Sequence, residues 1–104
     1  MYSDKMKTWL VWQDSNNEED TYQSFVCSAE TEYDARHMYP HNNPRFFWKD
    51  NTWCYYWENV LYTDNGSEWV SPDKVVVEFL GESNKRQAEV ICADFRPSRI
   101  WYGK

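Results

Sequence analysis

Glycine is scarce in this sequence: Gly66, Gly81 and Gly103 are the only three in 104 residues. A loop that cradles phosphate needs several glycines at short spacing, so none can be assembled here. Paired cysteines are missing too. Cys27, Cys54 and Cys92 are odd in number and widely spaced, a poor disulfide framework with no Cys-x-x-Cys for structural zinc. No apolar run approaches membrane-spanning length. The N-terminus alternates polar and apolar residues and offers no apolar signal-peptide core. The expectation is a cytoplasmic protein with no membrane partner.

Positive charge is absent over residues 8–35, which carry Asp14, Glu18, Glu19, Asp20, Glu30, Glu32 and Asp34. The net charge is -6, and the rest of the chain is close to neutral. Affinity for phosphate comes largely from Lys and Arg, so direct nucleic-acid binding is disfavoured. A basic partner suits this charge better. An acidic loop is ordinarily just solvated. As a functional surface, Asp14, Glu18, Glu19 and Asp20 would engage Arg and Lys groups that a partner uses for phosphates.

What the chain has in plenty is rings. Phe, Trp and Tyr make up 19% of it, with seven Trp, while aliphatic residues are few. Each ring buries a large area with few rotatable bonds, so the core of this one-domain length is expected to be aromatic. The domain is read as residues 1–104, with a polar leader over 1–7 and a basic tail over 96–104 ending in Ile100, Trp101 and Tyr102.

Residues 8–13 read as a strand apolar on both faces, with Trp9 and Val11 on one and Leu10 and Trp12 on the other, which fits a central position. A polar loop over 14–20 leads to a second strand over 22–28, and the two form an antiparallel hairpin. Thr31 and Asp34 have capping-box spacing, and Ala35, Met38 and Tyr39 make one apolar helical face that ends at Pro40. Further strands are expected over 52–57, 60–63, 75–80 and 89–95. Phe46, Phe47 and Trp48 read as loop, Asn65-Gly66 as a tight turn, Trp69-Val70 as its return arm, and residues 71–73 as a turn. The expected fold is α+β: a mainly antiparallel sheet of four to six strands with one short helix packed on one face.

Four candidate sites follow. His37 and His41, with any of the three Cys, are zinc-type ligands, but Pro40 separates the two His and a free Cys is often a small buried hydrophobe. A Cys nucleophile needs an electropositive setting that no Cys here advertises, so no catalytic residue, metal or cofactor is assigned and no enzyme is expected. The acidic pole is the third. The aromatic run over 39–62 is the fourth. Its strand alternation puts Trp53, Tyr55 and Trp57 on one face and Cys54 and Tyr56 on the other. Core packing accounts for many of these rings, but there are more than one face of a small sheet needs. Arg45, Trp48, Trp53 and Trp57 are therefore candidate anchors for a partner, since Trp, Tyr and Arg are enriched at interface hot spots. A homodimer would use such a patch equally well.

Several segments carry a resemblance. They are Phe25-Val26-Cys27-Ser28-Ala29-Glu30-Thr31-Glu32-Tyr33-Asp34-Ala35-Arg36, Trp69-Val70-Ser71-Pro72-Asp73, the Val-rich residues 75–81 ending in Gly81, and Val90-Ile91-Cys92-Ala93-Asp94-Phe95. The pattern resembles small bacteriophage-encoded accessory proteins of unknown function, and its first half is similar to the strand–strand–helix start of some small anti-CRISPR proteins. The resemblance implies a non-enzymatic inhibitor of a host defence complex, acting in the host cytoplasm on a protein or ribonucleoprotein with a basic surface. The rings also fit a small-ligand or nucleotide-binding module, because bases stack on them. The apolar tail fits a homo-oligomeric phage structural component.

Overall fold

The computed structural model describes residues 6–16, 21–41, 45–63 and 68–96. Two antiparallel sheets and one short helix make up the fold, in the order β1 (Lys7–Gln13), β2 (Thr21–Ala29), α1 (Glu32–Arg36), β3 (Phe47–Lys49), β4 (Thr52–Trp57), β5 (Val60–Thr63), a 3-10 turn (Pro72–Lys74), β6 (Val75–Glu82) and β7 (Glu89–Arg96). The α+β class and the predominance of antiparallel strands agree with the sequence pattern. The single sheet does not: the strands divide into a four-stranded sheet, β6-β1-β2-β7, and a three-stranded one, β3-β4-β5.

In the larger sheet β1 is central, paired with β2 on one side and β6 on the other. Registers Trp9↔Cys27 and Val11↔Phe25 put these four side chains on one face, and all four are buried. Val75 and Val77 of β6 join them through Gln13↔Val75 and Val11↔Val77. The opposite face carries Leu10, Trp12 and Val26, and the Trp12 indole donates to Glu78 Oε2 there at 2.8 Å. Lys7 already belongs to β1 and Met6 O accepts from Ser83 N, so the polar leader is shorter than its sequence suggests. Gly81 has φ 151°, a conformation rarely open to other residues, beside the bulge between Thr8 and Trp9.

Gln13 is the least expected core member. It is a buried amide whose Nε2 donates to Asn16 O and Tyr22 O, and whose Oε1 accepts from Ser15 N and Asn16 N. A buried polar group is tolerable when its hydrogen bonds are made, and here they also fix the start of the β1–β2 loop.

The helix begins as its sequence directs. Thr31 is extended, its Oγ1 accepts from Asp34 N at 3.1 Å, and Glu32 and Asp34 occupy the first turn. Ala35 faces the four-stranded sheet and is buried. Arg36 Nη1 donates to Pro72 O at 3.1 Å and Val75 O at 2.9 Å, tying the helix to the turn before β6. Trp69-Val70 is not a strand. The Glu68 carbonyl accepts from Tyr22 N, and Val70 O accepts from the Trp53 indole, so this backbone bridges the two sheets.

The segment read as loop holds β3. Phe47↔Cys54, Trp48↔Trp53 and Lys49↔Thr52 pair it with β4, around a two-residue turn, Asp50-Asn51. A second such turn, Glu58-Asn59, joins β4 to β5. All four turn residues have positive φ, between 50° and 67°, as type I′ hairpins require. Glu at φ 50° is strained in a way that Asn or Gly is not. The pair of substitutions Glu58→Asn and Asn59→Gly is therefore expected to raise stability by about 1 kcal/mol in urea denaturation. No gain, or a loss, would contradict the turn assignment.

Candidate functional site

Two segments, one around Tyr39 and one over residues 69–70, pin the small sheet to the large one. The Trp53 ring meets Tyr39 edge-on at 5.3 Å, Tyr39 stacks on Phe46 at 4.0 Å, and the Trp53 Nε1–H donates to Val70 O at 2.9 Å. Trp69, on the same connection, packs edge-on against Phe25 of β2 at 5.2 Å. Trp53 is therefore 2% exposed and belongs to the core. This corrects its reading as a partner anchor: a ring enclosed on this side by Tyr39, Trp48 and Val70 presents no free face.

Exposure changes along β4, not across it. Trp53 and Cys54 are buried, Tyr55 is intermediate, and Tyr56 and Trp57 are 59% and 55% exposed. All four residues of β5 are exposed. The β4–β5 hairpin thus leaves the core at about Tyr55 and presents rings on both of its faces. Trp57, Val60 and Tyr62 share one face, and Tyr56 and Leu61 the other, from the registers Trp57↔Val60, Tyr56↔Leu61 and Tyr55↔Tyr62. Contacts among the rings hold them in place. Tyr55 stacks on Tyr62 at 5.5 Å, Phe46 lies 4.8 Å from Tyr55, and Phe47 stacks on Tyr56 at 5.7 Å.

The other candidate anchors are dispersed. Trp48 is half-buried, edge-on to Trp53 at 5.1 Å, near the Asp50-Asn51 turn at the opposite end of the small sheet from Trp57. Arg45 is exposed, and its Nη2 donates to Ala88 O at 3.0 Å. Asp14 is exposed just after β1. Its loop runs on to Asn16, which lines a cleft with Asn51, so Asp14 and Trp57 are not brought together. Glu18, Glu19 and Asp20 lie outside the described residues, as do Asn65-Gly66 and the tail containing Ile100, Trp101 and Tyr102.

Among the described residues, no three His, Cys, Asp or Glu side chains are grouped to hold a metal ion. His37 stacks on Tyr33 at 4.1 Å with its Nδ1 2.8 Å from Tyr33 O. His41 instead sits among the rings of Tyr22, Tyr39 and Phe46, with Nε2 3.8 Å from Glu68 Oε1. Burial pushes the Cys27 thiol up to about 12, so it is protonated at neutral pH. Cys54 is buried as well, its Sγ near the carbonyls of Lys49 and Thr52, and Cys92 is exposed. A disulfide-exchange reagent is expected to label one thiol per chain quickly, at Cys92, and the other two only on unfolding. Prompt labelling of all three would contradict this packing. For Cys27 the folded value lies above the ordinary 9, so the folded state holds this proton more tightly. That contribution to stability is present below pH 9 and is lost as pH rises toward 12. Burial, and then the Glu68 charge, raise the Tyr22 hydroxyl in the same sense.

Comparison of the chain with protein-family models, curated proteins and solved structures returned no match. The segments behind the bacteriophage resemblance have structural roles here. Arg36 binds carbonyls, Trp69 is core, Val70 accepts from Trp53, Pro72 is buried and Gly81 serves a bulge. No helix among the described residues is long and apolar enough to cross a membrane.

Sequence reasoning missed the anchoring role of Tyr39 and the exposure of Tyr56, Leu61 and Tyr62. The signal available for the second was the length of the aromatic alternation, which runs past what the large sheet can cover.

Proposed function

We propose that the protein is a non-enzymatic binding protein that docks on its partner through the β4–β5 hairpin. The observation that carries this reading is the cluster of Tyr56, Trp57, Val60, Leu61 and Tyr62, all exposed on one hairpin and braced from below by stacked rings. Scattered surface apolar residues need no explanation, but Trp57, Val60 and Tyr62 exposed together on one face of the hairpin, with Tyr56 and Leu61 exposed on the other, favour an interaction site. Trp and Tyr are also the residues that hot spots favour, and the preformed contacts reduce the ordering cost of binding.

The partner class comes from charge and resemblance together. A protein or ribonucleoprotein of a host defence complex with a basic surface would be steered by the acidic pole and gripped by the hairpin. Asp14 is exposed, as are Glu30, Glu32 and Asp34 near α1. Steering of this kind acts on the association rate and is screened by salt. Replacing Asp14, Glu18, Glu19 and Asp20 by their amides should slow association about tenfold or more at low salt and flatten its salt dependence. Surface plasmon resonance against the captured partner at two ionic strengths measures both, and an unchanged low-salt rate would rule out steering.

A further inference from the structure

Four strands form the outer edges of the two sheets: β6 and β7 of the larger, β3 and β5 of the smaller. An outer strand carries backbone N–H and C=O groups that no neighbour pairs, and native proteins guard such edges with charge, bulges or brevity. β6 has Glu78 and Glu82 and the irregularity beside Gly81. β7 has Glu89 and Asp94, and two register shifts against β2. β3 is three residues long and ends in Lys49. β5 is short as well, at four residues, but it is otherwise unguarded. Val60, Leu61, Tyr62 and Thr63 include no charge, Gly or Pro, all four are exposed, and their pairing with β4 is regular.

The Glu58-Asn59 turn fixes which groups point outward. In a two-residue hairpin the closing pair, here Trp57↔Val60, is hydrogen-bonded. Alternation makes Tyr55↔Tyr62 the next bonded pair and turns the N–H and C=O of Leu61 and Thr63 toward the outer edge. No described strand lies beyond β5 to meet them.

Charge selects the occupant. Residues 45–63 carry Arg45 and Lys49 against Asp50 and Glu58, so this segment is neutral within a chain of net charge -6. The like charge that keeps copies apart lies elsewhere, with Asp14, Glu32 and Asp34 among its exposed members. A second copy therefore meets no like charge along β5.

We propose that two copies of the chain pair antiparallel through β5, about a two-fold axis at Tyr62. Leu61 of each copy lies opposite Thr63 of the other, and the outward groups of both residues are used in both copies. Tyr62 opposes itself in a non-hydrogen-bonded pair, with Cα atoms about 4.5 Å apart. Within one chain Tyr62 stacks on Tyr55, and Tyr55 lies against Phe46, so the pairing continues a row of rings across the axis. The contact is closed, because the joined sheet then ends in two copies of β3. It uses the strand edge and leaves the ring faces to the docking partner, so it adds to the docking reading without resting on it.

Sedimentation velocity of the full-length protein from about 1 µM to about 1 mM is the first test. A contact this short predicts a dissociation constant of about 100 µM, so monomer gives way to dimer across that range. Leu61→Pro removes an outward donor and no bond to β4, and it should remain monomeric throughout with a melting temperature within a few degrees of the parent. Trp57→Ala should dimerise as the parent does. Oxidation reads the register and does not depend on Leu61→Pro folding. In a Cys92→Ser background, Tyr62→Cys should form an intermolecular disulfide and Leu61→Cys should not, because of the two only position 62 faces itself. A wild-type chain that stays monomeric would overturn the pairing. So would a dimer that Leu61→Pro leaves unchanged, or oxidation as fast at position 61 as at 62. A monomer that still crosslinks to one partner through position 57 refutes the pairing and leaves docking in place.

Discussion

Replacing Trp57 and Tyr56 together by Ala is expected to weaken partner binding by at least about a hundredfold, while the melting temperature stays within a few degrees of the parent. Each hot-spot aromatic is worth about 2 kcal/mol or more on truncation, and about 1.4 kcal/mol is tenfold in affinity. Both rings are more than half exposed, so removing them leaves no cavity in the core. The Tyr56 ring does stack on Phe47, and that contact accounts for the small stability loss allowed. Isothermal titration against the captured partner gives the first quantity and calorimetric melting the second. A double variant that binds normally removes the hairpin from the interface. One that unfolds shows that the rings are structural.

The opposite pattern is expected at the other end of the same strand. Trp53→Ala should cost about 3–5 kcal/mol in stability, as truncation of a buried large aromatic does. It removes the contacts to Tyr39 and Trp48 and the hydrogen bond to Val70 O. Domains of this size are stable by about 5–15 kcal/mol, so the variant should be at the edge of unfolding at 37 °C. Because Trp53 is what joins the small sheet to the connection bearing Trp69, its loss should expose the amides of β3 and β4 to hydrogen exchange before those of β1 and β2. Trp53 and Trp57 are four residues apart on one face of one strand. Opposite outcomes at these two positions would show that exposure is graded along β4.

That gradient explains what the sequence could and could not reveal. Alternation assigns Trp53, Tyr55 and Trp57 to one face correctly, but a period of two says nothing about where along the strand the cover ends. The cover is Tyr39 and residues 69–70, which arrive from distant parts of the chain. The helix was legible because its determinants are local: Thr31 caps Asp34, and Ala35 is its buried face. β4 and β5 were legible for the same reason, as runs of ring and β-branched residues.

β3 was not legible, because three residues of Phe, Trp and Lys carry too little periodicity and their turn is Asp50-Asn51. An Asn-Gly pair is a stronger signal, as at Asn65-Gly66, which lies outside the described residues. The division into two sheets rests on Trp69-Val70 serving as a bridge, where its residue types suggest a strand. The cleft that Asn16 and Asn51 line was hidden for a further reason. Trp69 is distant in sequence from Trp48 and Asn51, and the three line one cleft only after both sheets are formed.

The most direct test of hairpin docking is photo-crosslinking in bacterial lysate. A benzophenone amino acid replaces Trp57 in one sample and Tyr33 in another. Tyr33 is 68% exposed on α1, which packs on the four-stranded sheet. After irradiation and mass spectrometry, a single discrete adduct at position 57 and none at position 33 is the result expected of a hairpin that grips one partner. Absence of any adduct at 57, or the same adducts at both positions, would contradict it.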